Sequence, residues 1–215
     1  MIDYSKLLEA TFETLYMTFL SLFFAIIIGF ILAIILYLTQ KKGLLSNPFL
    51  ARLTDILINV FRAIPYIILL ILLMDVSKLL TGSILGANAA IPSLVVSAAV
   101  FFARLCLIAF NEVDSGTIEA CIAMGASIKQ LIIRVLIPES LPAIISAIAV
   151  TAISLVSYTA MAGAIGSGGL GNLAYLYGFA RRNYPVLYTA TFIIIVIVFA
   201  IQFVGDYFVK KIDKR

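Results

Sequence analysis

Five long runs of apolar residues constrain the fold of this chain more than any other feature. Each run has about the 20 residues that an α-helix needs to cross a hydrocarbon core about 30 Å thick. The runs are continuous rather than alternating, which is typical of membrane helices and not of transmembrane strands. They lie approximately at residues 18–38, 56–74, 89–110, 141–165 and 185–209. The sequence therefore predicts an all-α integral membrane protein with five transmembrane helices and a single transmembrane domain over residues 1–215.

The charge content supports this class. Charged residues make up 12% of the chain, whereas a soluble domain has about 25%. A cleaved signal peptide is the alternative interpretation of the first run. Asp3, Glu9 and Glu13 lie in the segment that precedes that run, with Lys6 as the lone base there. The run is also too long for a signal peptide and no small-residue cleavage site follows it, so we expect it to remain as a span.

The distribution of basic residues predicts the orientation, because Lys and Arg accumulate in short cytoplasmic loops. It places the amino terminus outside, the carboxyl terminus in the cytoplasm and the loop at residues 111–140 in the cytoplasm. Topology and anionic lipid headgroups explain the net charge of +4, so no nucleic-acid partner is expected. The basic residues on the cytoplasmic side are Lys41, Lys42, Arg52, Lys129, Arg134, Lys210, Lys211, Lys214 and Arg215, and those on the outer side are Lys6, Lys78, Arg181 and Arg182.

Several kinds of catalytic site are excluded or disfavoured. The chain has no histidine, which removes Ser-His-Asp triads and histidine metal sites. It also lacks the Gly-x-x-x-x-Gly-Lys-Ser/Thr phosphate loop, so it cannot hydrolyse ATP by that mechanism. The string from Gly166 to Gly171 contains Gly-x-Gly-x-x-Gly, but it follows a membrane span rather than a strand. We interpret it as a turn on the outer side. No carboxylate pair lies mid-membrane, which disfavours an intramembrane enzyme.

A polar segment interrupts the apolar chain between the third and fourth spans. Ile118, Ile122 and Ile128 recur there at helical spacing, between small residues, with Gly125 near the middle. Small residues let another backbone approach closely, so such a helix can lie in the groove of a partner, with Glu119 as a pairing or capping group. A surface helix resting on lipid headgroups explains these residues equally well.

Charged residues also fall within or beside the spans, where they usually face the bundle or a cavity. Asp55, Asn59 and Arg62 lie at helical spacing on the second span, and Pro65 predicts a kink just beyond them. Arg104 lies near the cytoplasmic end of the third span. We expect these four residues to pair between helices or to snorkel, with Arg62 bonded to Asp55, Asn59 or a neighbouring carboxylate. A role in gating is the alternative.

The fourth span differs from the others because hydroxyl side chains punctuate it. Hydroxyls and small residues favour close helix packing in lipid, and they equally suit a pathway for a small polar solute. If two copies of the chain are related by a twofold axis, one such helix from each copy forms the two walls of a pore. The candidate pathway residues are Ser154, Ser157, Tyr158 and Met161.

The polar segment resembles the cytoplasmic coupling loop of bacterial ABC importer permeases. That loop has the pattern Glu-Ala-Ala, three residues, Gly, nine residues, Ile, one residue and Leu-Pro. Here Cys121 replaces the second Ala, and Val135 and Ile137 replace the Ile and Leu. The residues at the positions of the pattern are Glu119, Ala120, Cys121, Gly125, Val135, Ile137 and Pro138.

The whole chain is similar to the permeases of bacterial methionine-uptake ABC transporters, through residues 61–70, 157–171 and 201–206. The resemblance implies a multi-pass protein of the bacterial cytoplasmic membrane that forms a homodimer. It further implies two cytoplasmic ATP-binding subunits, which bind ATP and Mg, and an extracytoplasmic solute-binding lipoprotein. The chain itself is then no enzyme and binds no cofactor or metal. A permease for another amino acid or an osmoprotectant is the alternative, as is a structural membrane scaffold, which leaves the pattern from Glu119 to Pro138 unexplained.

Overall fold

The computed structural model describes residues 4–40 and 45–212. Within these residues every regular element is a helix, as the apolar runs predict. The α-helices are α1 (Tyr4–Thr39), α2 (Pro48–Ala63), α3 (Tyr66–Leu72), α4 (Met74–Thr81), α5 (Ala87–Asn111), α6 (Ser115–Ala123), α7 (Ile128–Leu131), α8 (Ile137–Ala164), α9 (Gly169–Asn172) and α10 (Tyr184–Ile212). Two π-helical stretches, Ile132–Leu136 and Leu173–Ala180, precede α8 and follow α9.

Four helices of the described chain are long and apolar enough to cross a membrane. They are α1, α5, α10 and the continuous helix Ile128–Ala164, which joins α7, the first π-helical stretch and α8. The first helix begins at Tyr4, well before the predicted span at residues 18–38. Leu7, Ala10, Thr14 and Met17 are buried at helical spacing in this early part, so packing extends the helix beyond the apolar run.

The second predicted span, at residues 56–74, is not one straight helix. The chain bends at Pro65, as predicted. The bend is a break rather than a kink, because α2 and α3 meet at an angle of 105°. Ile64 has an extended backbone (φ −79°, ψ 122°), because the ring of the following proline disfavours the helical conformation. Together α2 and α3 form one bent span or a re-entrant loop.

The core of the bundle lies where α1, α5 and α8 meet. Met17, Leu94 and Leu155 are fully buried there, and Phe102 and Phe110 fill a second cluster towards the far end of α5. At Gly29 of α1 a side chain would lie 2.5 Å from the carbonyl oxygen of Ala99. The two backbones therefore approach as closely as small residues allow, which is the usual basis of helix packing in lipid.

The bundle has two chemically different ends. At one end Gln40 Nε2 donates to Asn111 Oδ1 at 3.1 Å, and α6 and α7 follow directly; we call this the coupling end. At the other end Leu7 and Ala10 of α1 pack against Leu170, Leu173 and Val186; we call this the glycine end, because the string from Gly166 to Gly171 lies there. Each long helix runs from one end to the other, so the two ends are separated by the apolar core.

Candidate functional site

The coupling segment, which we define as residues 114–131, is built from two capped helices. Asp114 Oδ1 accepts from the amide of Thr117 at 3.0 Å and caps α6. Gly125 then adopts a left-handed backbone with φ 80°, which glycine adopts without strain. Ser127 and Gln130 form a reciprocal capping box that starts α7. These local contacts start both helices and shape the turn between them.

The side of the coupling segment that faces away from the helix bundle is exposed. None of the residues of α6 is buried, and Glu119 and Ala120 are exposed while Cys121 is half-buried. Ile122 is 44% exposed and Met124 is 79% exposed. On the inner side Leu131 is buried and Ile118 packs against the cluster around Phe110. The segment is thus anchored to the bundle on one side and presents apolar and acidic side chains on the other.

The remaining coupling-pattern residues lie in a helix rather than in a loop. The predicted loop at residues 111–140 is therefore too long, because the continuous helix begins at Ile128. Val135 lies in the π-helical stretch, and Ile137 and Pro138 open α8. The amide of Ile137 bonds to the carbonyl of Ile132, five residues earlier. This wider turn accommodates Pro138, which lacks an amide hydrogen and whose ring clashes with a regular preceding turn.

One face of α8 is left open by the rest of the bundle. Ser146, Val150, Ser154, Ser157 and Met161 follow one another in steps of three or four residues, so they share a side of the helix. All five are exposed or half-buried, with Met161 at 46%. On the opposite side Leu155 and Val156 are buried. We call the five residues the open face of α8.

Three of the four candidate pathway residues belong to the open face, and Tyr158 does not. Its ring stacks on that of Tyr66, with centroids 4.8 Å apart and planes 15° apart. Tyr66 is buried, and its hydroxyl lies 3.3 Å from Ser93 Oγ of α5. The stack fastens the start of α3, directly after the Pro65 break, to the middle of α8. Tyr158 is placed to hold the bent second span rather than to line the open face.

The charged residues near the coupling end pair differently from the expectation. Arg104 Nη1 lies 3.4 Å from Asp55 Oδ1, and both side chains are partly exposed. Asn59 and Arg62 are exposed, and no side-chain hydrogen bond or ion pair joins either to another described residue. The expected bonding of Arg62 is therefore not what the structure shows. Arg62 lies about two turns after Asp55 along α2, and Asp55 pairs with Arg104 of α5 instead.

We expect the contribution of the Asp55–Arg104 pair to be small. Half-exposed ion pairs typically contribute no more than about 1 kcal/mol. Asp55→Asn should lower the thermal midpoint of the detergent-solubilised protein by at most roughly 2–4 °C, as measured by a fluorescence melting curve. Arg62→Ala serves as the matched control and should leave the midpoint unchanged. A larger loss for Arg62→Ala than for Asp55→Asn would contradict this pairing.

A contact that sequence reasoning missed lies at the glycine end. Glu13 Oε2 of α1 accepts from the amide of Gly169 at 2.6 Å, and Thr14 Oγ1 accepts from the amide of Leu170 at 2.8 Å. The string from Gly166 to Gly171 is the predicted turn, and it leads into the short helix α9. The first turns of α1 carry two carboxylates, Glu9 and Glu13. A carboxylate beside a membrane span usually has a specific partner, but this signal does not single out Glu13.

Comparison with known proteins gives concordant matches along the chain. Residues 25–215 match the family model described as the inner membrane component of binding-protein-dependent transport systems. The methionine import system permease protein MetP of Bacillus subtilis (strain 168) is 53% identical, over 100% of this chain and 96% of its own length. The probable D-methionine transport system permease protein MetI of Pasteurella multocida (strain Pm70) is 44% identical, over 96% of this chain and 95% of its own length.

A solved structure agrees with these relatives in fold. A chain of the MetNI methionine ABC transporter, in an inward-facing conformation, superposes with a TM-score of 0.97. It is 39% identical, and the match covers 100% of both chains. The family model, the full-length relatives and the superposition all describe the same architecture. This chain belongs to the family of inner-membrane components of binding-protein-dependent transport systems.

Proposed function

We propose that this chain is the permease subunit of an ATP-driven importer that carries methionine across the bacterial cytoplasmic membrane. The observation that carries the proposal is its similarity, over the whole chain, to permeases that are named for methionine transport. The geometry supports it independently. One continuous helix connects an uncovered segment at the coupling end to an open face that carries hydroxyl groups.

In this proposal the coupling end faces the cytoplasm. Arg52, Lys129 and Lys210 lie in segments at this end of the bundle, and short cytoplasmic loops are rich in such residues. The amino terminus of α1 and the glycine end then lie outside, where a solute-binding lipoprotein would deliver its cargo. The same orientation brings the coupling segment within reach of cytoplasmic ATP-binding subunits.

The coupling segment is the proposed docking site for an ATP-binding subunit. Ile122 and Met124 provide exposed apolar contacts and Glu119 an exposed charge, which is the composition of a helix that lies in a groove. The partner subunit would bind ATP and Mg, because this chain has no Gly-x-x-x-x-Gly-Lys-Ser/Thr loop. Two permeases and two ATP-binding subunits would make the membrane and cytoplasmic parts of the assembly.

The pathway is proposed to run along the open face of α8, between two copies of the chain. Hydroxyls exposed to lipid are costly, so Ser154 and Ser157 are better accommodated by a facing copy and a water-filled channel. Ser154 Oγ donates to the carbonyl of Val150 at 2.9 Å, within its own helix. Such a side chain can exchange hydrogen-bond partners when a solute passes. A passing solute would meet weak, replaceable contacts, which transport requires.

The proposed movement follows from the continuity of the helix. ATP binding would draw the two ATP-binding subunits together and displace both coupling segments. Because α7, the π-helical stretch and α8 form one helix, a displacement at Leu131 is transmitted to the open face. The pathway would then change from inward-facing to outward-facing. In this proposal an inward-facing state, such as that of the similar MetNI structure, precedes ATP binding.

An uptake assay tests the proposed function. The permease is expressed with its own ATP-binding subunit and binding lipoprotein in a bacterial strain that lacks other methionine uptake routes. Labelled L-methionine and D-methionine should accumulate, and omission of the permease gene alone should abolish accumulation. Uptake of another amino acid or an osmoprotectant in place of methionine would overturn the substrate assignment. Absence of uptake for every solute, with the complex assembled, would overturn transport itself.

A further inference from the structure

We infer that Glu13 and Thr14 of α1 form a latch that holds the outer end of the transport pathway closed, and that the latch opens when the permease turns outward. The inference rests on the proposed transport function and assigns positioning residues to it. The latch acts on α9, Gly169–Asn172, which we call the wedge because it packs against both α1 and the last turns of α8.

The contact of the wedge with α1 consists of two directional hydrogen bonds. The Glu13 carboxylate accepts from the amide of Gly169, and the Thr14 hydroxyl accepts from the amide of Leu170. Thr14 is 2% exposed, and its own hydrogen is directed at the carbonyl of Ala10, 3.0 Å away. Its oxygen therefore presents a lone pair to the wedge. The first amides of a helix have no carbonyl partner within that helix. Glu13 and Thr14 accept the hydrogen bonds of two such amides at the start of α9.

The contact of the wedge with α8 is of another kind. Gly171 lies directly against the backbone of Ala160, and Gly163 lies directly against the amide of Asn172, with no space for a side chain at either glycine. The side-chain amide of Asn172 also donates to the carbonyl of Gly163 at 3.1 Å. Met161 of the open face lies in the turn between Ala160 and Gly163. The wedge therefore fits against the turn of α8 that carries Met161.

These two kinds of contact respond differently to movement. Backbone packed on backbone has no alternative arrangement, because interiors at this density do not deform continuously. Hydrogen bonds at the end of a membrane helix can be exchanged for bonds to water. When α8 moves, the wedge should move with it and separate from α1. The apolar contacts of Leu7 and Ala10 with Leu170 and Leu173 have no preferred direction, so the two hydrogen bonds set the closed position.

The latch predicts a specific effect on the resting state. Loss of one such hydrogen bond changes an equilibrium by roughly tenfold. Variants without the acceptor should therefore populate the outward-open state without ATP, whereas variants that keep an acceptor should not. Thr14→Val removes the acceptor and keeps the shape, and Thr14→Ser restores it. Glu13→Ala removes the other acceptor, and Glu13→Gln retains an oxygen that can bond to the amide of Gly169.

The reporter is the accessibility of position 161 in the assembled importer. Met161→Cys is introduced in a background with Cys106→Ala and Cys121→Ala, and the complex is reconstituted in liposomes with its ATP-binding subunits. The rate of reaction with a membrane-impermeant thiol reagent is measured from the outer side, without nucleotide and with a non-hydrolysable ATP analogue. Glu9→Ala is the matched control, because Glu9 is an exposed carboxylate one turn earlier on α1.

We expect Thr14→Val and Glu13→Ala to raise the nucleotide-free reaction rate roughly tenfold, towards the rate with the ATP analogue. Thr14→Ser, Glu13→Gln and Glu9→Ala should react at the unmodified rate. Equal nucleotide-free rates in all five variants would overturn the latch. If Thr14 has a purely structural role, Thr14→Val should lower the yield of the assembled complex without raising the reaction rate at position 161. That result would also overturn the latch.

A second measurement separates the latch from the pathway. If Met161→Cys stays inert even with the ATP analogue, the pathway assignment is wrong, and amide hydrogen exchange at residues 165–172 then decides the latch. ATP-analogue binding should speed exchange of the Gly169 and Leu170 amides in the unmodified importer, and Thr14→Val should do so without nucleotide. Unchanged exchange in both cases would overturn the latch independently of the pathway.

Discussion

Replacing Gly171 by alanine should destabilise the permease more than any other conservative change at the glycine end. The added carbon would lie against the backbone of Ala160, with the carbonyl carbon only 2.7 Å away, and a backbone cannot turn aside as a flexible side chain can. Overpacking of this kind typically costs about 1–3 kcal/mol. The thermal midpoint of the solubilised protein should fall by roughly 2–12 °C.

The matched control is Gly82→Asn at the end of α4. A carbon added to Gly82 meets nothing within 4 Å, and asparagine tolerates the left-handed backbone that this position has. Its thermal midpoint should stay close to that of the unmodified protein. A midpoint for Gly171→Ala that equals the control would contradict the close fit of α9 against α8.

Gly125→Val should abolish most transport while leaving the membrane bundle folded. Gly125 has φ 80° and no atom of this chain lies within 4 Å of the position of an added carbon, so within the chain the effect is one of backbone strain. A left-handed conformation costs an ordinary residue about 1–2 kcal/mol, which lowers the population of this turn by roughly 5- to 30-fold. Methionine uptake and permease-stimulated ATP hydrolysis, measured in liposomes, should both fall by about that factor.

Gly125→Asn separates strain from bulk in the same assay. Asparagine adopts the left-handed region more readily than other residues with side chains, so this variant should keep most of the activity. If Gly125→Val transports as well as Gly125→Asn, the shape of this turn does not matter for coupling. If both variants are inactive although the complex assembles, contact between the partner and position 125 is the better explanation.

Much of the fold follows from local properties of the sequence. The five apolar runs predict the membrane helices, since a window of about 20 residues suffices to detect them. Pro65 predicts the place of the break because proline restricts the residue before it. The caps of the coupling segment are local too, but they are Asp114 and Ser127, whereas Glu119 was expected from the sequence as a pairing or capping group. Each of these features depends only on neighbouring residues.

The remainder depends on residues far apart in the chain. The break angle of 105° is set by packing, such as the stack of Tyr66 on Tyr158, and not by Pro65 alone. Pairing of Asp55 with Arg104 requires the relative rotation of two helices, which no single-helix pattern contains. The contact of Glu13 with Gly169 joins residues 156 positions apart. Apolar runs also end at polar side chains, so the early turns of α1 were missed.

ATP at the coupling end should change access to the open face of α8, and the reactivity of single cysteines on this face measures that access. Ser157→Cys is introduced in the Cys106→Ala, Cys121→Ala background of the complete reconstituted importer, with Val156→Cys as the buried control on the same helix turn. Position 157 should react with a small polar thiol reagent from the outer side only when the ATP analogue is bound, whereas position 156 should stay inert. Two results would rule out this change of access. One is equal reactivity at position 157 with and without nucleotide, and the other is reaction only at cysteines placed on α1 or α10.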